Sequence, residues 1–244
     1  MAYYINNLNQ KIAYKYIKGI NPGIIFVHGL NSDMQGLKAL RIEKYAKKNK
    51  LSFLRFDCRG HGKSFGNFED FNISDWKNDL IDLLDNITKG PQIIVGSSMG
   101  GWLMILAAKA RKKRIFGLLG LATATDFGDN LYSDLSKKSR KELKNKGITK
   151  YTSNGFSYYL SNKFFKEAKK NNILNKPFRF NKPFILIHGT KDNVVDYMMP
   201  QKIMNNTSGK NVQIHYIKSS DHRLSSEQNL NCITNAIDAI INLV

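Results

Sequence analysis

Residues 91–108, PQIIVGSSMGGWLMILAA, contain no charged side chain. An 18-residue uncharged stretch approaches the length of a membrane span. Its interior argues against one, because Pro91 opens it and Gly96, Gly100 and Gly101 interrupt it. It reads as a buried strand, a sharp turn and a buried helix in succession. A strand that carries no polar face must be covered on both sides. The chain therefore needs a sheet enclosed between layers of helix.

The rest of the sequence supplies those layers. YYINN and IAYKYI read as a hairpin, and GIIFVHG, LSFLRFD, RIFGLLGLA and PFILIHG as further buried strands. Helical spacing of apolar residues covers 36–49, 73–87, 99–110, 197–206 and 226–242, with Asn72 or Ser74 as the cap of the second. A strand over 211–217 precedes the last helix. Apolar strands alternating with helices imply crossover connections and a mostly parallel sheet. The expected fold class is α/β, with about eight strands and helices on both faces. Residues 123–181 are too long for an ordinary connection and are rich in lysine and aromatics. They are expected to form a small helical lid inserted in a single domain spanning 1–244.

Gly96-Ser97-Ser98-Met99-Gly100 fits G-x-S-x-G directly after a strand and directly before a helix. In that context the motif is a nucleophile elbow. Small residues two before and two after the serine let strand and helix backbones meet. The spacing makes Ser98 the nucleophile candidate, and Ser97 reads as structural. A serine needs a base, and the base needs an orienting carboxylate. Asp192 follows the strand PFILIHG, where open α/β sheets place functional groups, with Asp196 as its rival. Of five histidines, His222 alone lies in the loop between the last strand and the terminal helix. His28 and His188 end strands beside glycine and read as structural; His61 belongs to a turn and His215 to a strand. The oxyanion donors expected for this arrangement are the backbone N–H groups of Leu30 and Met99. In DCRGHGKS, Asp57 and Arg59 read as braces for loops around the site. Arg223 reads as either a contact for a substrate anion or a partner of a surface acid.

HGLNSDMQGLKA, RFDCRGHGKS, GPQIIVGSSMGGWLMILAA, HGTKDNVV and SSDHRLS together resemble the α/β-hydrolase superfamily. Within it they are most similar to the subfamily of mitochondrial palmitoyl-protein thioesterase, also described as mycophenolic acid acyl-glucuronide esterase. The similarity runs from about residue 24 to the end. It implies Ser98, Asp192 and His222 as a catalytic triad and hydrolysis of acyl esters or acyl thioesters. The residues themselves also leave open a catalytically silent binding protein, or a lipase or peptidase, of the same fold.

The formal charge is +19, from 38 basic and 19 acidic residues, with 30 lysines against 8 arginines spread along the chain. No nucleic-acid-binding signature accompanies it, so the expected partners are small-molecule or acylated substrates and no nucleic acid. The lysine-rich surface is expected to add weak attraction to anionic membrane surfaces. No cofactor or metal is expected, since a triad supplies nucleophile, base and oxyanion stabilisation. Cys58 and Cys232 fit no metal or redox spacing. With MAYYINNLNQK at the start, they imply a cytoplasmic location without a secretory signal. Oligomeric state is not legible.

Overall fold

The computed structural model describes residues 1–153 and 156–243. An antiparallel hairpin comes first, β1 (Ala2–Ile5) and β2 (Lys11–Ile17). Strands and helices then alternate through β3 (Ile20–Val27), α1 (Leu37–Lys48), β4 (Leu51–Phe56), α2 (Ile73–Asn86), β5 (Gln92–Ser97), α3 (Met99–Ala110) and β6 (Ile115–Leu121). The following segment holds α4 (Gly128–Asp134), α5 (Lys137–Lys146), β7 (Ile148–Ser153), β8 (Phe156–Ser161) and α6 (Asn162–Lys170). The alternation resumes with β9 (Phe184–Gly189), α7 (Met199–Asn206), β10 (Val212–Ile217) and α8 (Glu227–Asn242).

Eight strands form one sheet in the order β1-β2-β4-β3-β5-β6-β9-β10. From β4 to β10 every pairing is parallel, and only the β1–β2 and β2–β4 pairings are antiparallel. The apolar runs are shared between two cores by strict alternation. Ile25 and Val27, Leu54 and Phe56, and Phe184 and Leu186 face one layer, with Trp76, Leu80 and Trp102 from α2 and α3. Ile24 and Phe26, Phe53, Ile93 and Val95, and Ile185 and Ile187 face the other, with Ile42, Ile233 and Ile237 from α1 and α8. The two-residue period of a strand thus turns a continuous apolar run into two buried faces.

The uncharged stretch has its explanation here. Every residue of α3 from Met99 to Ala108 is buried, and the first charge, Lys109, comes where the helix reaches solvent. The amphipathic α2 starts at Asn72, whose side chain accepts from the Ser74 and Asp75 N–H groups at 3.0 and 3.4 Å. Of the two cap candidates, Asn72 is therefore the cap.

The segment between β6 and β9 contains more than helices. β7 and β8 pair antiparallel, with Tyr151 opposite Tyr158 and their rings 5.5 Å apart. Threonine and tyrosine at alternate positions suit a pleated ribbon, a pattern masked by the surrounding lysines. Aromatic contacts tie this segment to the sheet layer. Tyr158 meets Phe68 at 5.3 Å, Phe68 meets Trp76 at 5.5 Å, and Trp76 meets Phe164 at 6.3 Å. The lysines of α5 are mostly exposed. Among the described residues no helix is long and apolar enough to cross a membrane.

One buried ion cluster anchors α1 to the sheet. Glu43 receives Arg55 at 2.8 Å, Lys15 at 2.6 Å and Lys47 at 2.7 Å, and its side chain is 7% exposed. Arg55 also donates to the Met34 carbonyl at 2.6 Å, which fixes the loop after β3. Burial alone would raise the Glu43 pKa, but the three cations outweigh it and hold the carboxyl at about 2, against an ordinary 4.5. The folded value lies below the unfolded one, so this stabilisation is complete above about 4.5 and is lost as pH falls towards 2. Glu43→Gln is expected to lower the unfolding free energy at pH 7 by about 3 kcal/mol. The gap from wild type should close as pH falls through 4.5 towards 2; urea titrations at graded pH measure it.

Candidate active site

The site begins at the carboxyl end of β5. Ser98 sits between strand and helix at φ 55° and ψ −121°, a strained conformation for a residue with a side chain. Glycines on either side make that turn fit. A Cβ on Gly96 would collide with the Gly100 carbonyl, and one on Gly100 with the Val27 carbonyl at the end of β3. The Ser98 N–H donates to the Leu121 carbonyl at 2.9 Å. The Ser98 carbonyl accepts from Gly101 at 2.9 Å and Ala124 at 3.1 Å. The strain is thus held from β6 as well as from α3. Ser97 is the last residue of β5 and is buried.

Two other strand ends bring their side chains to Ser98. Asp192 lies just after β9, and His222 lies between β10 and α8. His222 Nε2 is 3.2 Å from Ser98 Oγ, and His222 Nδ1 is 2.8 Å from Asp192 Oδ2. With Nδ1–H donating to the carboxylate, Nε2 is left as the acceptor facing the serine hydroxyl. Asp192 Oδ1 accepts from the Val194 and Val195 N–H groups at 2.8 and 2.9 Å. The Asp192 side chain is fully buried, whereas that of His222 is 21% exposed. Burial alone would raise the Asp192 pKa. The His222 hydrogen bond and the two backbone donors overcome that and keep it below the usual carboxylate range.

Asp196, the rival acid, is directed elsewhere. It caps the turn into α7 through the Met198 N–H at 2.9 Å and pairs with Lys202 at 2.6 Å. His188 makes a contact that its sequence position did not reveal. Its Nε2 lies 3.3 Å from Asp192 Oδ2 and 3.4 Å from the Val195 carbonyl, and its side chain is fully buried. Burial lowers its pKa and so favours its neutral form beside Asp192. The only signal was a spacing of four residues across a strand end, which has no meaning until the loop is folded.

The loop after β3 passes directly over Ser98. A Cβ on Gly29 would lie 3.2 Å from the Ser98 Cβ. Leu30 follows in this loop and Met99 opens α3. Among the described residues neither the Leu30 N–H nor the Met99 N–H donates to another protein group. The DCRGHGKS turn braces the loop from below. Asp57 accepts from Met34 at 2.7 Å and Lys63 at 2.9 Å, and Arg59 pairs with buried Asp79 at 2.6 Å. The Arg223 side chain is exposed beside His222.

A mostly parallel eight-stranded sheet, helices on both faces and a strand–serine–helix elbow at its carboxyl edge define an α/β-hydrolase. Residues 21–163 match the family described as serine aminopeptidase, S33. The mitochondrial palmitoyl-protein thioesterase ABHD10 of Pongo abelii is 38% identical over 234 residues, covering 94% of this chain and 76% of that protein. Mouse alpha/beta hydrolase domain-containing protein 10 superimposes with a TM-score of 0.90 at 33% identity, covering 99% of this chain and 98% of that one. A putative hydrolase from Agrobacterium vitis S4 does so with a TM-score of 0.91 at 28% identity, covering 99% and 97%. The chain belongs to the ABHD10 family of α/β-hydrolases.

The fold and the family resemblance read from the motifs are borne out; the cytoplasmic location is not. The ABHD10 relatives that match 94% of the chain are mitochondrial proteins. Free thiols separate reducing from oxidising surroundings and nothing finer, so Cys58 and Cys232 had no power to choose between compartments.

The elbow geometry generates a direct test. Gly100→Ala places a methyl against the Val27 carbonyl and must push α3 away from β3. The variant is expected to lose at least about 1–3 kcal/mol of stability. Any reaction of Ser98 with a serine-directed fluorophosphonate should also slow, because Ser98 moves with the helix. Thermal melts and labelling rates measure the two effects.

Proposed function

We propose that this chain is a serine hydrolase that cleaves acyl esters and acyl thioesters through an acyl-enzyme intermediate. Ser98 is the nucleophile, His222 the base and Asp192 the orienting acid. The observation that carries this reading is the unbroken row of Ser98 Oγ, His222 and Asp192, with spacings of 3.2 and 2.8 Å. In the reaction Ser98 Oγ attacks the acyl carbonyl as its proton passes to His222 Nε2. Asp192 holds the tautomer that makes Nε2 an acceptor and stabilises the imidazolium that forms. The Leu30 and Met99 N–H groups stabilise the oxyanion, in line with the positive end of α3. As the intermediate collapses, the carbon–sulfur or carbon–oxygen bond breaks and His222 returns the proton to the leaving group. Water, activated by the same imidazole, then releases the acid.

The thioester part of the reading draws on the relatives, which are named palmitoyl-protein thioesterases. Apolar side chains where the segment between β6 and β9 meets the sheet layer agree with it. Leu30, Phe68 and Tyr158 are only part-buried and pack against the same core layer as Trp76 and Trp102. We take residues 123–181 as a lid inserted in one hydrolase domain. Each methylene buried by such a surface adds about 0.8 kcal/mol, or roughly fourfold in affinity. kcat/KM on acyl thioesters of increasing chain length is expected to climb at about that rate and then level off. A profile indifferent to chain length would remove the acyl-binding surface from the reading.

Ser98→Ala is expected to lower kcat by roughly 10⁶ while Ser97→Ala retains most activity. Steady-state assays of the two variants on one thioester decide the nucleophile. Asp192→Asn is expected to cost about 10⁴ in kcat, through the wrong imidazole tautomer. Asp196→Asn should leave kcat near wild type, since its carboxylate serves Lys202 and α7. The opposite ranking would move the acid to Asp196.

A further inference from the structure

Two buried histidines outside the triad face each other across the loops that form the site. His28 directly follows β3 and His61 sits in the DCRGHGKS turn, with ring centroids 5.0 Å apart. They are 1% and 6% exposed. Each accepts a backbone N–H from the other's loop. Cys58 N–H donates to His28 Nε2 at 3.0 Å, and Asn31 N–H donates to His61 Nε2 at 3.3 Å. The opposite nitrogens face carbonyls, His28 Nδ1 to Gly29 at 2.7 Å and His61 Nδ1 to Arg59 at 3.3 Å. Both rings are therefore neutral, with the proton on Nδ1. Burial keeps them so: it lowers the pKa of each, and with its neighbour His28 it brings His61 down to about 3.

These contacts fall on the two peptide groups that flank Leu30. In a planar trans peptide the C=O and the N–H point in opposite directions. The Gly29 carbonyl and the Leu30 N–H belong to one peptide group. By holding that carbonyl, His28 turns the Leu30 N–H the other way. The next peptide group carries the Leu30 carbonyl and the Asn31 N–H, and His61 holds that N–H. Neither group can flip without losing an imidazole contact. A flip of the first would withdraw the Leu30 donor and present a carbonyl oxygen to the reacting centre.

We propose that His28 and His61 are positioning residues that keep the Leu30 N–H aimed at the oxyanion. This rests on the hydrolase reading above, and it gives two residues without contact to substrate a role in transition-state stabilisation. Pre-aimed donors stabilise charge that exists only in the transition state. Loss of the clasp should therefore appear in kcat rather than KM.

The test compares variants that keep or remove one hydrogen bond. His61→Gln places an amide oxygen near the position of Nε2, and His61→Leu does not. His28→Asn keeps a donor near the position of Nδ1, and His28→Leu does not; both lose the Cys58 contact equally. The probes are an acyl thioester, a trifluoromethyl ketone of the same chain and its matched amide. The ketone adds Ser98 Oγ to its carbonyl carbon and leaves an oxyanion in the hole, whereas the amide reports ground-state binding. Circular dichroism and thermal melts check folding. The leucine variants are expected to lose about 10- to 100-fold in kcat, with KM within about twofold. They should lose the same factor in affinity for the ketone and little for the amide. His61→Gln and His28→Asn should recover most of that loss.

Leucine variants that keep kcat and ketone affinity would overturn the proposal. So would glutamine and asparagine variants no better than leucine, or equal losses for ketone and amide. If a leucine variant does not fold, serine at the same position, too short to make the contact, takes its place. Wild type that forms no ketone adduct at Ser98 would instead fail the hydrolase reading itself, so the two failures are distinguishable.

Discussion

The contact on which the rest of the site depends is backbone against backbone, where the first turn of α3 meets the end of β3. Gly100 leaves no space between its Cα and the Val27 carbonyl. That approach sets the sharp turn at Ser98 and brings the loop after β3 over the serine. It also explains why α3 is apolar on every side. A helix packed over the central strands of the sheet and covered by α2 has no solvent face until it emerges at Lys109. The two serines sit in the most apolar part of the chain because the turn that carries them joins a buried strand to a buried helix.

Around this contact the buried ionic groups are hydrogen-bonded. Asp192 accepts from two backbone N–H groups and from His222, with His188 beside it. Arg59 is matched by Asp79, and Arg55 by Glu43. A buried charge is tolerated only when it is paired and hydrogen-bonded. The Asp192–His222, Arg59–Asp79 and Arg55–Glu43 pairs each join separate secondary-structure elements or loops, so each also fixes a loop. Arg55, held by Glu43, donates to the Met34 carbonyl and Asp57 accepts from the Met34 N–H, so the loop after β3 is pinned at Met34 from both of its peptide groups.

The surface follows other rules. The lysines of α5 are exposed, whereas Tyr158 and Phe164 of the same segment turn inward to Phe68 and Trp76. The excess of positive charge is therefore a property of the shell around the hydrolase fold and not of the row at Ser98. It bears on which anions approach the protein and not on how an acyl group would be cleaved.

Much of this architecture was legible from residues alone. Alternating apolar runs and helical periods predict the strand and helix sequence because both patterns are local, set by a two-residue or 3.6-residue repeat. The elbow could be read because glycine spacing reports backbone approach directly. Asp192 and His222 could be proposed because each follows a strand, and strand ends in a parallel sheet converge on one edge. The β7–β8 hairpin was hidden, since its threonines and tyrosines lie among lysines that read as helix and loop. Distances between separate strand ends have no local signature at all. Only folding brings Asp192 within 2.8 Å of His222, directs Asp196 to Lys202, and sets His188 against the acid. The mutual hold of His28 and His61 belongs to the same class: thirty-odd residues separate them, and an imidazole's role depends on which backbone N–H the packed loops put in front of it.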